Sequence, residues 1–362
     1  ATYTYLTNSP LVSTIQFTND GTLRMTTSKQ YDGLYRLTSI GSSNGVAGVL
    51  SSHAYTYNSA NQRTNATRED NAYWVYDYDN LGQVKSGKKY WSDGTPVAGQ
   101  QFEYGFDDIG NRKTAASGGD QWGANLRYEN YTANNLNQYS QRTVPGTVDV
   151  IGSANANATV TVLGSAGGSP AVPGDPPGTF RTSRKGEYFR AEASATNTAG
   201  PVYLILTNIA VLQNGTNADI VTTNTGSLLL PPATETYLHD PDGNLIRNGL
   251  WTNVWNAENR WITAQSLTTV PTNASKKVDF AYDYQGRRVQ KIVSTWNGSA
   301  YVAQSTNRFV YDGWNLLAIV DSASAVAQSY LWGLDLSGSL QGAGGVGGLL
   351  ALNAGTNGTH FV

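Results

Sequence analysis

What most limits the folds open to this chain is a short motif that keeps returning. It is an aromatic residue, Asp or Asn, two variable residues, Gly or Asn, a polar residue, and then Leu, Arg or Val. The clearest copy follows Val278, Phe280, Tyr282 and Tyr284, which share one parity, so a strand there points all four to one face. Gly286 supplies the positive φ of a tight reversal. Asp283 can accept a hydrogen bond from a backbone N–H two residues on and fix the turn locally. The strand leaving this turn meets Asn297-Gly298, a strong hairpin signal. A third strand then climbs to Tyr311-Asp312-Gly313. The unit ends where it began, and such a unit can be stacked.

The rest of the chain stacks it. The copies are Tyr31-Asp32, Tyr57-Asn58, Tyr78-Asp79 with Gly82, and Phe106-Asp107 with Gly110. A weaker one at Ala133-Asn134 has lost its aromatic. After a gap come His239-Asp240 with Gly243, Trp255-Asn256, Tyr282-Asp283 with Gly286, and Tyr311-Asp312. Outside the gap the starts lie roughly 16 to 29 residues apart, a spacing typical of repeat architectures. Short strands with turn chemistry at both ends predict an antiparallel meander. Strands twist, so a large meander curls. The expected fold is therefore all-β, a meander curling into a spiral sheet or shell wall, with a small inserted β module.

These motifs resemble the YD repeats of the RHS family, the bacterial toxin-shell proteins related to teneurins and to the shell-forming components of ABC toxin complexes. The stretch Tyr330-Leu331-Trp332-Gly333-Leu334-Asp335-Leu336-Ser337-Gly338-Ser339, with Gly342 to Leu350 after it, resembles the opening of the RHS-associated core. The resemblance implies a long β-sheet spiralling into a hollow cocoon, with a C-terminal toxin cut off and kept inside. The family's self-cleavage motif lies beyond the core, past Val362, so no cleavage residue is assigned. The opening Ala1-Thr2-Tyr3-Thr4-Tyr5 reads as mid-strand, as in a piece of a longer protein.

Four regions are expected: a first repeat block over 1–143, an inserted β module over 144–235, a second block over 236–335, and the start of the core-like segment over 336–362. The insert alternates Val, Ile or Ala with small polar residues from Val148 to Val162, then carries a Gly/Pro loop from Ser165 to Gly178. It is either an elaborated loop or a module that binds a ligand or partner.

Composition agrees. Tyr (22) and Trp (9) are plentiful and Met (1) is scarce, as suits pleated surfaces. Only 14% of residues are charged and the net charge is −2, which gives no reason to expect nucleic acid. Without Cys, disulfides and thiolate metal sites are excluded. No apolar run is long enough to span a membrane as a helix.

No catalytic, cofactor-binding or metal-ligating set emerges. His53, His239 and His360 are far apart, and His239 stands where the motif wants an aromatic. Gly342 to Gly347 matches the dinucleotide glycine string, but the antiparallel context and the missing acidic residue argue instead for a close crossing past another backbone or a sharp bend. Asp240 to Asn244 hints at a calcium loop, yet Leu245 and Trp251 stand where an EF-hand needs Gly and Glu. Lys85, Lys88 and Lys89 beside Tyr90-Trp91 read as a solvated strand edge. The expectation is a non-enzymatic scaffold, extracellular or at the cell surface, whose partner is its own C-terminal cargo domain or further copies of itself. The alternative is a fibre or adhesin that takes a cell-surface glycan or protein.

Overall fold

The computed structural model describes residues 1–45, 48–164, 178–355 and 358–361. Its regular structure is β throughout, apart from a single 3-10 turn at Thr272–Ala274 among the described residues. Among the described residues no helix is long and apolar enough to cross a membrane. The chain forms two compact units, one of residues 1–133, 145–195 and 206–226, the other of 134–144, 196–205 and 227–362.

The first unit holds eleven strands from Thr2–Tyr5 to Leu126–Ala133, laid side by side in sequence order. Neighbouring strands pair antiparallel, as in Tyr73–Tyr78 with Val84–Tyr90. The second unit repeats the arrangement with eleven strands from Leu238–His239 to Thr359–Phe361, and it also pairs Tyr139–Thr143 with Thr234–Thr236. Thr2–Tyr5 is an outer strand of the first sheet, and Leu238–His239 and Thr359–Phe361 are the outer strands of the second, so neither sheet closes into a barrel.

Alternation sets which face is covered. In Tyr73–Tyr78 the rings of Trp74, Tyr76 and Tyr78 are half-buried, whereas Val75 and Asp77 on the other parity are exposed. Tyr73 joins the covered set by stacking on Tyr90 at 5.5 Å.

The densest core lies in the inserted module. Thr147–Ser153 and Thr182–Lys185 flank Tyr188–Ser194. Thr159–Gly164 pairs with Thr179–Phe180 and with residues 206–211. Val162, Phe180, Ala191 and Ala193 are all but sealed from solvent. Residues 165–177, which carry most of the expected Gly/Pro loop, lie outside the described residues, as do 46–47.

By its contacts most of the inserted module groups with the first repeat block. Its strands bind the first repeat sheet. Tyr188 Oη donates to the Ala98 carbonyl at 2.6 Å, and its ring meets Trp91 edge-on at 5.4 Å. The Asp149 carboxylate, nearly buried, holds Arg190 at 2.7 Å and also takes Arg127. Gly99 lets the backbones close in, since a Cβ there would sit 3.2 Å from Ile151 Cγ2. Residues 196–205 fall in the second unit, where Asn197 Nδ2 donates to the carbonyls of Pro231 and Val144 at 2.9 and 3.2 Å. Within 336–362, Leu349–Asn353 extends the second sheet by pairing with Val326–Trp332.

Candidate functional site: the aspartate corners

At Tyr78-Asp79 the Asp79 N–H donates to the Gln83 carbonyl at 2.9 Å, and the Gly82 N–H donates back to the Asp79 carbonyl at 3.1 Å. Asp79 Oδ1 accepts the N–H groups of Leu81 and Gln83, both at 2.9 Å. One carboxylate oxygen thus satisfies two donors that a hairpin end otherwise leaves to water. Gly82 has φ 82°, and the pairing slips by a residue between Asp77 and Tyr78. This is a tight turn closed by a left-handed residue and a bulge.

The same wrapping recurs at Asp32, Asn58, Asp107, Asn134, Asp240, Asn256 and Asp283. The left-handed place is filled by Gly110, Gly243 and Gly286, by Asn61, Asn137 and Asn259, and once by Tyr35. Asn134 makes its corner without an aromatic before it.

The aromatics reach backward. Tyr57 Oη donates to the Leu37 carbonyl at 2.6 Å, Tyr78 Oη to Arg63 at 2.7 Å, and Tyr282 Oη to Trp261 at 2.8 Å. Each acceptor stands just past the preceding corner, at its bulge. Trp255 does the same with its indole N–H, to the Leu245 carbonyl at 3.0 Å. Tyr31 reaches the Val12 carbonyl at 3.0 Å, while Phe106 has no hydroxyl to offer.

The polar residue that ends each corner reaches forward. Arg36 Nε holds its own Asp32 at 2.7 Å while Nη1 donates to Asn61 Oδ1 of the next corner at 2.8 Å. Asn244 Nδ2 donates to its own Asp240 at 3.0 Å and to Asn259 of the next corner at 2.8 Å. Gln62 accepts from its own Asn58 at 2.7 Å, and its Nε2 lies 3.0 Å from where a Cβ on Gly82 would sit. Gln83 addresses Gly110 in the same way, and Gln138 addresses Gly243. Arg260 Nη1 donates to the Asp283 carbonyl at 3.0 Å, and Arg287 bonds the Gly313 carbonyl. Within each unit the corners therefore form a ladder clasped in both directions.

Charge follows geometry. Burial pushes the Asp32 carboxyl up, but the N–H groups of Arg36 and Leu34 and the Arg36 guanidinium outweigh it and hold the group below its ordinary range. Asp283 is held down likewise, against burial, by the Arg287 side chain and backbone. At Asp107 the Asn111 amide leads the lowering.

Tyr311-Asp312 does not make this corner. Both lie in the strand Tyr301–Asp312, which turns through Gly313 and Trp314 with Asp312 paired to Asn315. With only two residues in the turn, no N–H groups among the described residues converge on the Asp312 carboxylate. Tyr311 keeps its backward bond, to the Arg288 carbonyl at 3.1 Å.

Three corners escaped sequence reasoning because no aromatic precedes them: Asp120, Asp321 and Asp335. Their signal is Asp followed three residues later by Gly or Ser, as in Asp120-Gln121-Trp122-Gly123. Asp335 is only 6% exposed. Its Oδ1 accepts from the Ser337 N–H and hydroxyl at 2.9 and 2.5 Å. Its Oδ2 accepts from the N–H groups of Ala343 and Gly345 at 2.6 and 3.2 Å. The Ser337 hydroxyl and these amides, against burial, bring its pKa down to about 2. The glycine string thus wraps one of the chain's own carboxylates, between antiparallel strands and not in a βαβ unit.

The basic spot is divided: Lys88 pairs with Glu103 at 2.6 Å and Lys85 with Asp77 at 3.6 Å.

No family model matches the chain, and no curated protein matches it. Among solved structures it is similar to a crystal structure of TcdB2-TccC3-Cdc42, at 11% identity and TM-score 0.33, over 88% of this chain and 18% of that one. It is similar to TcdB2-TccC3-TEV at 14% identity and TM-score 0.35, over 88% and 15%. A porin-like protein from Bacteroides uniformis is similar at 10% identity and TM-score 0.23, over 78% of this chain and 88% of that one. The chain spans less than a fifth of the length of the two toxin-complex chains.

Proposed function

We propose that this chain is a non-enzymatic wall segment of an RHS-type shell, exported from the cell, which encloses or presents a C-terminal effector. The observation that carries this reading is the two-way ladder of corners. It ties aromatic-led corners to their neighbours before and after, so its product along the corners is a laced sheet edge and not a recess where reactants could meet. Stability in such an array is close to a sum of unit and neighbour terms, which suits a wall. The resemblance of the repeats to the RHS family supplies the cargo.

The test is to express the chain with a reporter domain fused after Val362 and to combine electron microscopy with protease digestion. Discrete curved or hollow particles that shield the reporter are the expected result. Filaments that lengthen with concentration, with the reporter fully digested, would replace the shell by the fibre reading.

A further inference from the structure

The first sheet carries a cleft of about 470 Å³ beside the ladder, whose Tyr78 and Arg63 also line it. Its floor is Gly87, which pairs with Tyr76 on one neighbouring strand and Phe102 on the other. A Cβ there would lie 3.5 Å from Tyr76 Cδ1 and 4.0 Å from Trp74 Cε3, so the missing side chain is what leaves the trough open. The walls are aromatic: Trp74 stacks on Tyr76 at 6.4 Å and on Phe102 at 6.0 Å, with Tyr104 beyond.

Arg63 lines the same cleft. Its guanidinium carbon sits 3.8 Å from the Tyr55 ring centroid, and its buried Nε has no hydrogen-bond partner. Among the described residues no carboxylate pairs with it, since Glu103 and Asp77 are engaged by Lys88 and Lys85. The hydroxyls of Tyr76 and Tyr104 are also without a hydrogen-bond partner among the described residues. The cleft therefore combines flat apolar walls, one uncompensated planar cation and two free phenols.

We propose that this cleft binds a carboxylated sugar of the uronic acid class. The C–H face of the sugar ring lies on Trp74 and Tyr76, its carboxylate meets the Arg63 fork, and its hydroxyls bond Tyr76 and Tyr104. A plain aromatic acid leaves both phenols unused. A phosphate backbone needs several cations in a row, and among the described residues that line the cleft Arg63 is the one cation. The proposal stands apart from the shell reading, and either can fail without the other.

The experiment titrates the full chain with tetragalacturonate, followed by tryptophan fluorescence and calorimetry, with a neutral glucose tetramer and a glutamate tetrapeptide as comparisons. The expected result is saturable binding of the uronate, roughly tenfold or more tighter than either comparison. Arg63→Gln and Gly87→Val should each weaken it by about tenfold or more, with circular dichroism unchanged. Should Gly87→Val fail to fold, Trp74→Leu tests the same wall. Absence of binding, equal affinity for the neutral tetramer or the peptide, or affinity indifferent to Arg63→Gln would each overturn the proposal.

Discussion

At the scale of single residues, each corner depends on one left-handed position and one carboxylate or amide. Gly82 has φ 82°, and a Cβ on it would press on Gln62 Nε2 at 3.0 Å. Gly82→Ala is expected to destabilise the fold by about 1–2 kcal/mol, the cost of left-handed backbone for an L-residue. Gly82→Asn should cost clearly less, since Asn61, Asn137 and Asn259 occupy the equivalent place. Urea unfolding of the two variants checks the order. Asp335 predicts a pH effect. Its folded pKa of about 2 lies below the ordinary 3.8, so its contribution is complete above about pH 4 and is lost as pH falls toward 2. Asp335→Asn should be less stable than the parent at neutral pH, and the gap should close in acid. Chemical unfolding at a series of pH values would show it. A gap that widens in acid would contradict the assignment.

Between strands, the bonds that matter cross from one corner to the next. Tyr282→Phe removes the hydroxyl that donates to the Trp261 carbonyl at 2.8 Å and leaves that carbonyl short of a partner. A loss of about 1 kcal/mol is expected, measured by denaturant melts. Phe106 shows that a corner tolerates the absence. The module presents a larger dependence. Asp149 lies between Arg127 and Arg190, all three with little exposure. Asp149→Ala leaves Arg127 and Arg190 to Glu192 alone, at 3.9 and 2.7 Å, and should cost about 1–3 kcal/mol. Limited proteolysis should then cut the module before the repeat strands. Uniform resistance along the chain would mean that the module holds on by packing alone.

Over the whole molecule, the repeat strands and their turns were legible because one motif encodes both. The aromatic sets parity, the aspartate sets the reversal, and the Gly or Asn sets the handedness. What stayed hidden has a common physical cause, which is that it depends on neighbours and not on the local string. The polar residue closing each corner was visible at Arg36, Gln62, Gln83, Asn244 and Arg287, but its forward reach appears only once corners are side by side. Asp120, Asp321 and Asp335 lacked the aromatic flag. Asp312 had the flag, yet Gly313 and Trp314 completed a shorter turn first. The insert's division between two units follows from which surfaces its strands meet, as at Tyr188 and Asn197, and no periodicity records that.

The two-way clasp also bears on how such chains change length. Where a corner has both grips, as at Asn58 between Asp32 and Asp79, one complete repeat can be cut out and the flanking corners keep partners of the same kind. Deleting the span from Asn58 to Arg63 together with its two strands brings Arg36 to face Gly82 in place of Asn61, and Tyr78 to face Leu37. Growth and loss by whole modules are then cheap for this architecture, whereas shifts of a single residue are not.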